Sequence, residues 1–257
     1  MKKDELKHQQ QIDAFQQKED EKRQHMKELI AHRKESFLIE HPQYQGLSKE
    51  EINKAFKQNL ASRQHKKRKV LKEHIEFFSD AVIAIIITIM VLEIPIPGEG
   101  ESYYHVIYSI GTFFISFFIV AYFWRYHHRI LERVEECNET ILFTNFVFLA
   151  LVSLIPLFTK WMMESPTGFA VANYGVVYLA TFIVLNILEY FVLKVEKGTI
   201  SMLFTRLLLF KLFFVIIINI VQIVFSYFHP LTGRWLYAFI PILTLLLTRE
   251  ESKEFDM

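Results

Sequence analysis

Residues 75–92 read IEFFSDAVIAIIITIMVL, the first long apolar run of a 257-residue chain. A bilayer core about 30 Å thick requires about 20 apolar helical residues, so this run predicts a transmembrane helix. Charge is unevenly distributed around it: residues 1–76 contain 18 Lys and Arg and 13 Asp and Glu, whereas the other 181 residues contain 11 and 15. So few charges in the longer part exclude a water-soluble fold. Cys137 is the single cysteine, which excludes an intrachain disulfide scaffold.

The polar pair inside this run has two interpretations. Ser79 or Asp80 would ordinarily be the N-cap of the helix that follows. A helix from Ala81 to the residue before Pro95 would rise only about 21 Å, which is too short for the bilayer core. We therefore expect the helix to begin upstream, between residues 69 and 76. Ser79 and Asp80 then lie inside the membrane, where a carboxylate requires partners.

Six apolar stretches are long enough to cross the bilayer. The sequence thus predicts an all-α fold, a six-span integral membrane helical bundle with a cytoplasmic charged helical N-terminal extension. The domains are the extension at 1–73, the transmembrane domain at 74–249 and a cytoplasmic tail at 250–257. The predicted spans are residues 75–95, 103–124, 141–159, 168–192, 205–228 and 233–248.

Cationic residues flank alternate spans. Lys and Arg of short loops are retained in the cytoplasm, so we expect both termini there and the protein in the cell membrane. The opposite loops contain only Lys160 and Arg234. The cytoplasmic cations are Arg63, Lys66, Lys67, Arg68, Lys69, Lys72, Arg125, Arg129, Arg133, Lys194, Lys197, Arg249 and Lys253.

The extension predicts two helices separated by residues 41–46. Ser48 and Glu51 have capping-box spacing at the start of the second helix. The simplest interpretation is a solvated helical extension, with binding of the basic run at 63–72 to anionic lipid headgroups as an alternative. We expect no nucleic-acid partner, because the adjoining membrane span accounts for the basic run. The apolar stripe of the second helix consists of Ile52, Phe56 and Leu60.

The first span has distinguishable faces when successive residues are placed about 100° apart. Ile85, Ile89 and Leu92 lie about 120–180° from Asp80, so they share a face that points away from the carboxylate. Ordinary packing and the lining of a pore both remain open for this face, because the span is apolar nearly all round. Thr88 is the only polar side chain near its middle.

Three motifs, in chain order, resemble the transmembrane protein 175 family, potassium channels of lysosomes and of bacteria and archaea. The resemblance covers roughly residues 74–160 by motif and the remainder by the number of spans. The residues that carry it are Phe78, Ser79, Asp80, Thr88 and Leu92 in the first span, Trp124, His127 and His128 at the end of the second, and Asn145 and residues 153–159 in the third.

The resemblance implies a potassium-permeable channel whose constriction is formed by Ile85, Ile89 and Leu92. Such a constriction gates by dewetting and favours the ion that gives up water more readily. Thr88 would offer a hydroxyl to a partly dehydrated ion. One helix cannot enclose a pore, and single-repeat members of the family are tetramers, so a homotetramer in the lipid bilayer is expected. No cofactor is implied besides the permeant potassium ion.

The family's signature helix is braced by a polar network. His74 stands where the family has an arginine, so we expect a weaker or pH-sensitive network, with Lys72 as a possible substitute cation. His127 and His128 are adjacent on a helix, so their side chains point about 100° apart, and no Cys or carboxylate cluster completes a set of metal ligands. We therefore expect these histidines to have a structural role at the membrane edge rather than to bind a metal. The expected network residues are His74, Phe78, Ser79, Asp80, Trp124, His127 and His128.

Two other classes of function remain open. One is a proton pathway or secondary transporter centred on Asp80, and the other is a non-conducting membrane anchor that displays the N-terminal helices. Transporter cores commonly contain internal repeats and broken helices, and the sequence predicts neither. An enzyme is not expected, because the chain contains no Gly-x-Ser-x-Gly, His-Glu-x-x-His, Walker A or Gly-x-Gly-x-x-Gly motif.

Overall fold

The computed structural model describes residues 2–96, 103–198 and 202–237. Within these ranges all regular secondary structure is helical, in agreement with the predicted all-α class. A further helical segment occupies residues 230–237. The elements are α1 (Lys2–Glu40), a short 3-10 helix (Pro42–Tyr44), α2 (Lys49–Leu92), α3 (Tyr103–Leu131), α4 (Glu139–Val152), α5 (Ile155–Glu164), α6 (Gly168–Lys197) and α7 (Met202–Phe228).

Contacts divide the chain into two compact units, Met1–Lys66 and Lys67–Met257. In the first unit, α1 and the start of α2 meet at a small aromatic core, where Phe37 and Phe56 are buried and their ring centroids lie 5.5 Å apart. The capping box predicted at Ser48 and Glu51 is confirmed: the Ser48 amide donates to Glu51 Oε2 at 2.9 Å and the Glu51 amide donates to Ser48 Oγ at 3.3 Å.

The helices that are long and apolar enough to cross a membrane lie wholly or, for α2, partly in the second unit. Four candidate spans occur within the described ranges: α2, α3, the pair α4–α5 and α6. The α6 helix packs against α3, α4, α5 and α7 and contributes much of the apolar core. Of the predicted fifth span, residues 212–228 form an apolar helical stretch of α7. Most of the predicted sixth span lies outside the described residues, so the count of six stays a prediction.

The predicted start of the first membrane helix was wrong. We expected it between residues 69 and 76, but α2 begins at Lys49 and continues without interruption to Leu92. The reason is compositional: neither proline nor glycine occurs between Ser48 and Ile94 to stop the helix. The polar second helix of the extension and the first membrane span are therefore one helix.

The third span is broken, contrary to the expectation of continuous spans. It ends as α4 at Val152 and resumes as α5 at Ile155. Pro156 lies in the first turn of α5 and has no amide hydrogen to donate to the preceding turn. Just before the break, the Ser153 hydroxyl donates to the Leu149 carbonyl at 2.8 Å in addition to the Ser153 amide, a local contact that favours bending.

Candidate functional site

One stripe of α2 is covered by the rest of the chain. Its members recur every three or four residues and are almost completely buried, as expected for one helix face. Only 28% of the apolar window of α2 is buried, compared with 44–50% for the other three candidate spans. Most of the apolar surface of α2 therefore has no partner within the described part of the protomer. The buried stripe consists of Ile75, Ser79, Ile83, Ile86 and Met90.

The aliphatic face predicted from the sequence lies away from this stripe. Ile85 is 57% exposed, Ile89 41% and Leu92 80%. Leu92 and Ile85 lie about 120–140° from the centre of the buried stripe, and Ile89 lies nearer its edge. Thr88 is exposed on the same side, and its hydroxyl donates to the Ile85 carbonyl at 2.8 Å.

A buried polar network joins α2, α3 and α4. The Asn145 amide donates to Ser79 Oγ at 3.0 Å, and Asn145 Oδ1 lies 2.6 Å from His127 Nε2. The Ser79 hydroxyl in turn donates to the Ile75 carbonyl at 2.7 Å. The His127 ring also stacks on Phe148 with centroids 4.9 Å apart. The Ser79 hydroxyl, both ends of the Asn145 amide and His127 Nε2 thus have partners, which is the condition for burying such groups without a large cost.

Asp80 belongs to a second, less buried group. The Trp124 indole donates to its carboxylate at 2.8 Å, and the Trp124 ring stacks on His128, whose Nε2 lies 3.2 Å from Glu132. On the same helix, Phe78 packs edge-to-face on Phe146 of α4 with centroids 5.9 Å apart. The two groups together link the predicted motif residues of α2 and α3.

His74 is separate from both groups. It is exposed, and the hydrogen bond described for Asp80 comes from Trp124, not from His74. Residues six positions apart on a helix are separated by about 9 Å and about 120°, which is unfavourable for a direct bond. Lys72, the possible substitute cation, pairs with Glu76 at 3.1 Å. The predicted role of His74 stays a prediction.

A carboxylate that the sequence analysis did not single out lies inside the predicted fourth span. Glu189 of α6 is buried, accepts a hydrogen bond from Arg133 Nη1 at 3.0 Å and a second from the Tyr126 hydroxyl. The available signal was a charged residue within an apolar span, which marks a network or functional residue by default. Among the described residues, no group of three His, Cys, Asp or Glu side chains is arranged to hold a metal ion.

Four candidate membrane spans joined by buried polar contacts define a multi-span helical membrane protein. A family model described as the endosomal/lysosomal potassium channel TMEM175 matches residues 74–156. The chain belongs to this family, because it is also 33% identical over 181 residues to a potassium channel of Chryseobacterium sp., with 68% of this chain and 93% of that relative covered.

Two further comparisons agree with this assignment. A potassium channel of Chamaesiphon minutus is 32% identical over 124 residues, which cover 44% of this chain and 61% of the relative. The crystal structure of a lysosomal potassium-selective channel TMEM175 homolog from Chamaesiphon minutus superposes with a TM-score of 0.52. The two chains are 24% identical, and the superposition covers 68% of this chain and 98% of the homolog, which supports the fold.

Proposed function

We propose that this protein is a potassium-permeable ion channel whose pore is lined by α2. The family and the names of its relatives support the class of function. The observation that carries the finer assignment is the exposed aliphatic face formed by Ile85, Ile89 and Leu92, on a helix that its own protomer leaves largely uncovered. A membrane helix that is hydrogen-bonded to its own protomer on one side and presents exposed aliphatic side chains on another is suited to line a narrow pore.

Side chains, not backbone carbonyls, constrict this pore. No glycine lies within α2, so its carbonyls stay in helical hydrogen bonds and cannot replace the hydration shell of an ion. Rings of Ile85, Ile89 and Leu92 exclude water and thereby gate conduction by dewetting. Potassium loses its water more readily than sodium, which gives a modest preference for potassium. Thr88 adds a hydroxyl oxygen on the adjoining face.

The pore requires several copies of the chain, because each copy supplies one α2. We infer a homotetramer with cyclic symmetry in the cell membrane, six spans per protomer and both termini in the cytoplasm. In this assembly the network of Ser79, Asn145 and His127 braces α2 from the side opposite the pore. The polar extension remains in the cytoplasm, and no catalytic role is assigned to any residue.

A proton pathway or transporter centred on Asp80 is the second candidate, favoured by the break between α4 and α5, since broken helices are common in transporter cores. Three observations make it the weaker one. Asp80 is engaged by the Trp124 indole, and it lies about 120–180° from the exposed aliphatic face. Only one span is broken within the described ranges, so no pair of broken helices related by a repeat supports it.

Ion flux from liposomes tests the proposal. Purified protein would be compared under potassium and sodium gradients with Ile85→Ala and Leu92→Ala. Ile107→Ala is the matched control, because Ile107 is a similarly exposed aliphatic residue, 66% exposed, on a different helix, α3. We expect potassium-preferring flux that rises or loses selectivity in the first two variants only. Absence of flux from folded, oligomeric protein would favour a membrane anchor, and flux of protons abolished by Asp80→Asn would favour the transporter.

A further inference from the structure

An ion pair connects the end of α2 to α5. Lys160 Nζ lies 2.7 Å from Glu93 Oε2, and the two side chains are 43% and 30% exposed. Glu93 directly follows Leu92, the last residue of α2, and a turn closed by the Ile94 amide and the Val91 carbonyl follows at 3.3 Å. The carboxylate is thus attached to the helix end that presents the most exposed residue of the aliphatic face.

The lysine stands on a firmly held helix. Its neighbour Thr159 is buried and shares a hydrogen bond with Ser116 of α3 at 2.7 Å. The Tyr174 hydroxyl of α6 donates to the same Ser116 oxygen at 3.1 Å. Because the break before Ile155 makes α5 a separate helix, its position is set by these contacts with α3 and α6. Lys160 therefore provides a fixed point of attachment.

The end of α2 has little other support from its protomer. The buried stripe stops at Met90, and the residues that follow in the helix, Val91 and Leu92, are exposed. Among the described residues, the contact between Glu93 and Lys160 is the ion pair that links this end of the helix to another element. Loss of the pair would leave the residues that follow the buried Met90 without an ion pair to another helix.

We propose that Glu93 and Lys160 are positioning residues that fix Leu92, the constriction residue at the C-terminal end of α2, and thereby determine ion selectivity. The inference rests on the proposed channel function and on Leu92 as part of the constriction. Neither side chain needs to touch the ion. The pair acts by restricting the displacement of the α2 end, so that the Leu92 side chains keep the distance at which a hydrated ion is rejected.

A direct electrostatic effect of the same residues predicts a different pattern. If Glu93 only attracted cations to the mouth, neutralising Glu93 would lower cation flux and neutralising Lys160 would raise it. If the pair positions Leu92, either neutralisation releases the helix end and changes selectivity in the same direction. Restoring the pair with reversed charges would restore selectivity only in the second case.

The experiment measures the ratio of potassium to sodium flux in liposomes for Glu93→Gln, Lys160→Gln and the double variant with Glu93→Lys and Lys160→Glu. We expect the ratio to fall about twofold or more in each single variant, in line with a partly exposed ion pair, and to return to the native value in the double variant. Glu164→Gln is the charge control, because Glu164 lies one turn after Lys160 on α5 and acts on it as a nearby charge without forming the ion pair, so it should leave the ratio unchanged.

The possible outcomes distinguish failure of the proposed channel function from failure of the positioning role alone. Native protein without potassium flux overturns the proposed function and this inference with it. Native flux with an unchanged ratio in both single variants, or with opposite effects in the two, overturns the inference alone. Assembly of each variant is checked by its elution from a size-exclusion column. If one single variant fails to assemble, the inference is tested with the other single variant and the charge-reversed double variant. Failure of the double variant to restore the native flux ratio contradicts the positioning role.

Discussion

The Asn145 amide on α4 donates to the Ser79 hydroxyl on α2 across 3.0 Å, and both side chains are completely buried. Asn145 also accepts from His127 of α3, so one residue satisfies two others on two different helices. The orientation of the amide is consistent throughout: the nitrogen faces a hydroxyl oxygen and the oxygen faces an imidazole nitrogen. This arrangement fixes the side of α2 that packs inward and, with it, the side that remains exposed.

Replacement of Asn145 by alanine is therefore expected to destabilise the protein by about 1–2 kcal/mol, because the His127 imidazole loses its partner in a buried site. The measurement is thermal unfolding of the detergent-solubilised protein. Asn173→Ala is the control, since the Asn173 amide donates only to the Phe169 carbonyl of its own helix and is not buried. Equal loss of stability in both variants would contradict a special role for the buried amide.

The buried carboxylate of Glu189 depends on Arg133. Arg133→Met removes the cation but leaves Glu189 buried, with the Tyr126 hydroxyl as its remaining donor. We expect a loss on the order of 3 kcal/mol in the free energy of unfolding, because an uncompensated charge is costly in such a site. Glu132→Gln, which breaks the exposed contact with His128, should cost less than about 1 kcal/mol. The same thermal assay compares them, and a smaller effect for Arg133→Met would refute the argument.

The sequence was sufficient to identify the helical class, the multi-span membrane character and, His74 excepted, motif residues that meet in the structure. Hydropathy and motif spacing are local properties, and they located the apolar part of α2 and most of α3 and α6. The contact of Ser79 with Asn145 was not predictable in this way, because it depends on how α4 packs against α2 across 66 residues of sequence. The same holds for Glu93 and Lys160.

Two local expectations failed for reasons that the sequence contained. The absence of proline and glycine between Ser48 and Ile94 favours one long helix, whereas the change from polar to apolar composition suggested a boundary that the backbone does not need. In the third span, the apolar run is long enough to suggest one continuous helix, but Pro156 lies in it and the helix breaks just before that proline. Backbone chemistry was the better guide than hydropathy at both positions.

Cys137, in the connection between α3 and α4, is completely buried, and its amide donates to the Arg68 carbonyl at 3.2 Å. Burial raises the pKa of the thiol to about 11, so the thiol stays protonated in the folded protein. A raised pKa favours the folded state fully below the ordinary value of 9.0, and this contribution is lost as the pH rises towards about 11.

We therefore expect slow alkylation of Cys137 by a maleimide at pH 8 in detergent and rapid alkylation after unfolding in SDS, followed by mass spectrometry. The SDS-treated sample is the internal control, because the chain has no other cysteine. Equally fast labelling before and after unfolding would show that the connection does not pack against α2 as described.

The capping box at the start of α2 predicts a local effect. Ser48→Ala removes the hydroxyl that bonds the Glu51 carboxylate and amide, so hydrogen exchange should increase in the first turn of α2. The Ser48 hydrogen bonds lower the pKa of Glu51, so their contribution is present above its ordinary pKa of 4.5 and lost as the pH falls through the lowered value. Ser36→Ala on α1 is the control, and similar exchange in both variants would argue against the cap.

The central claim is that the aliphatic face of α2 lines the pore. It is tested most directly by Leu92→Cys in liposomes, with potassium flux recorded before and after a water-soluble, cysteine-specific methanethiosulfonate reagent. The buried Cys137 leaves the native protein as a suitable unreactive background, and Ile107→Cys is the matched exposed position on α3. Our account predicts that the reagent blocks flux through Leu92→Cys and spares both the native protein and Ile107→Cys. Modification of Leu92→Cys with no change in flux would contradict it.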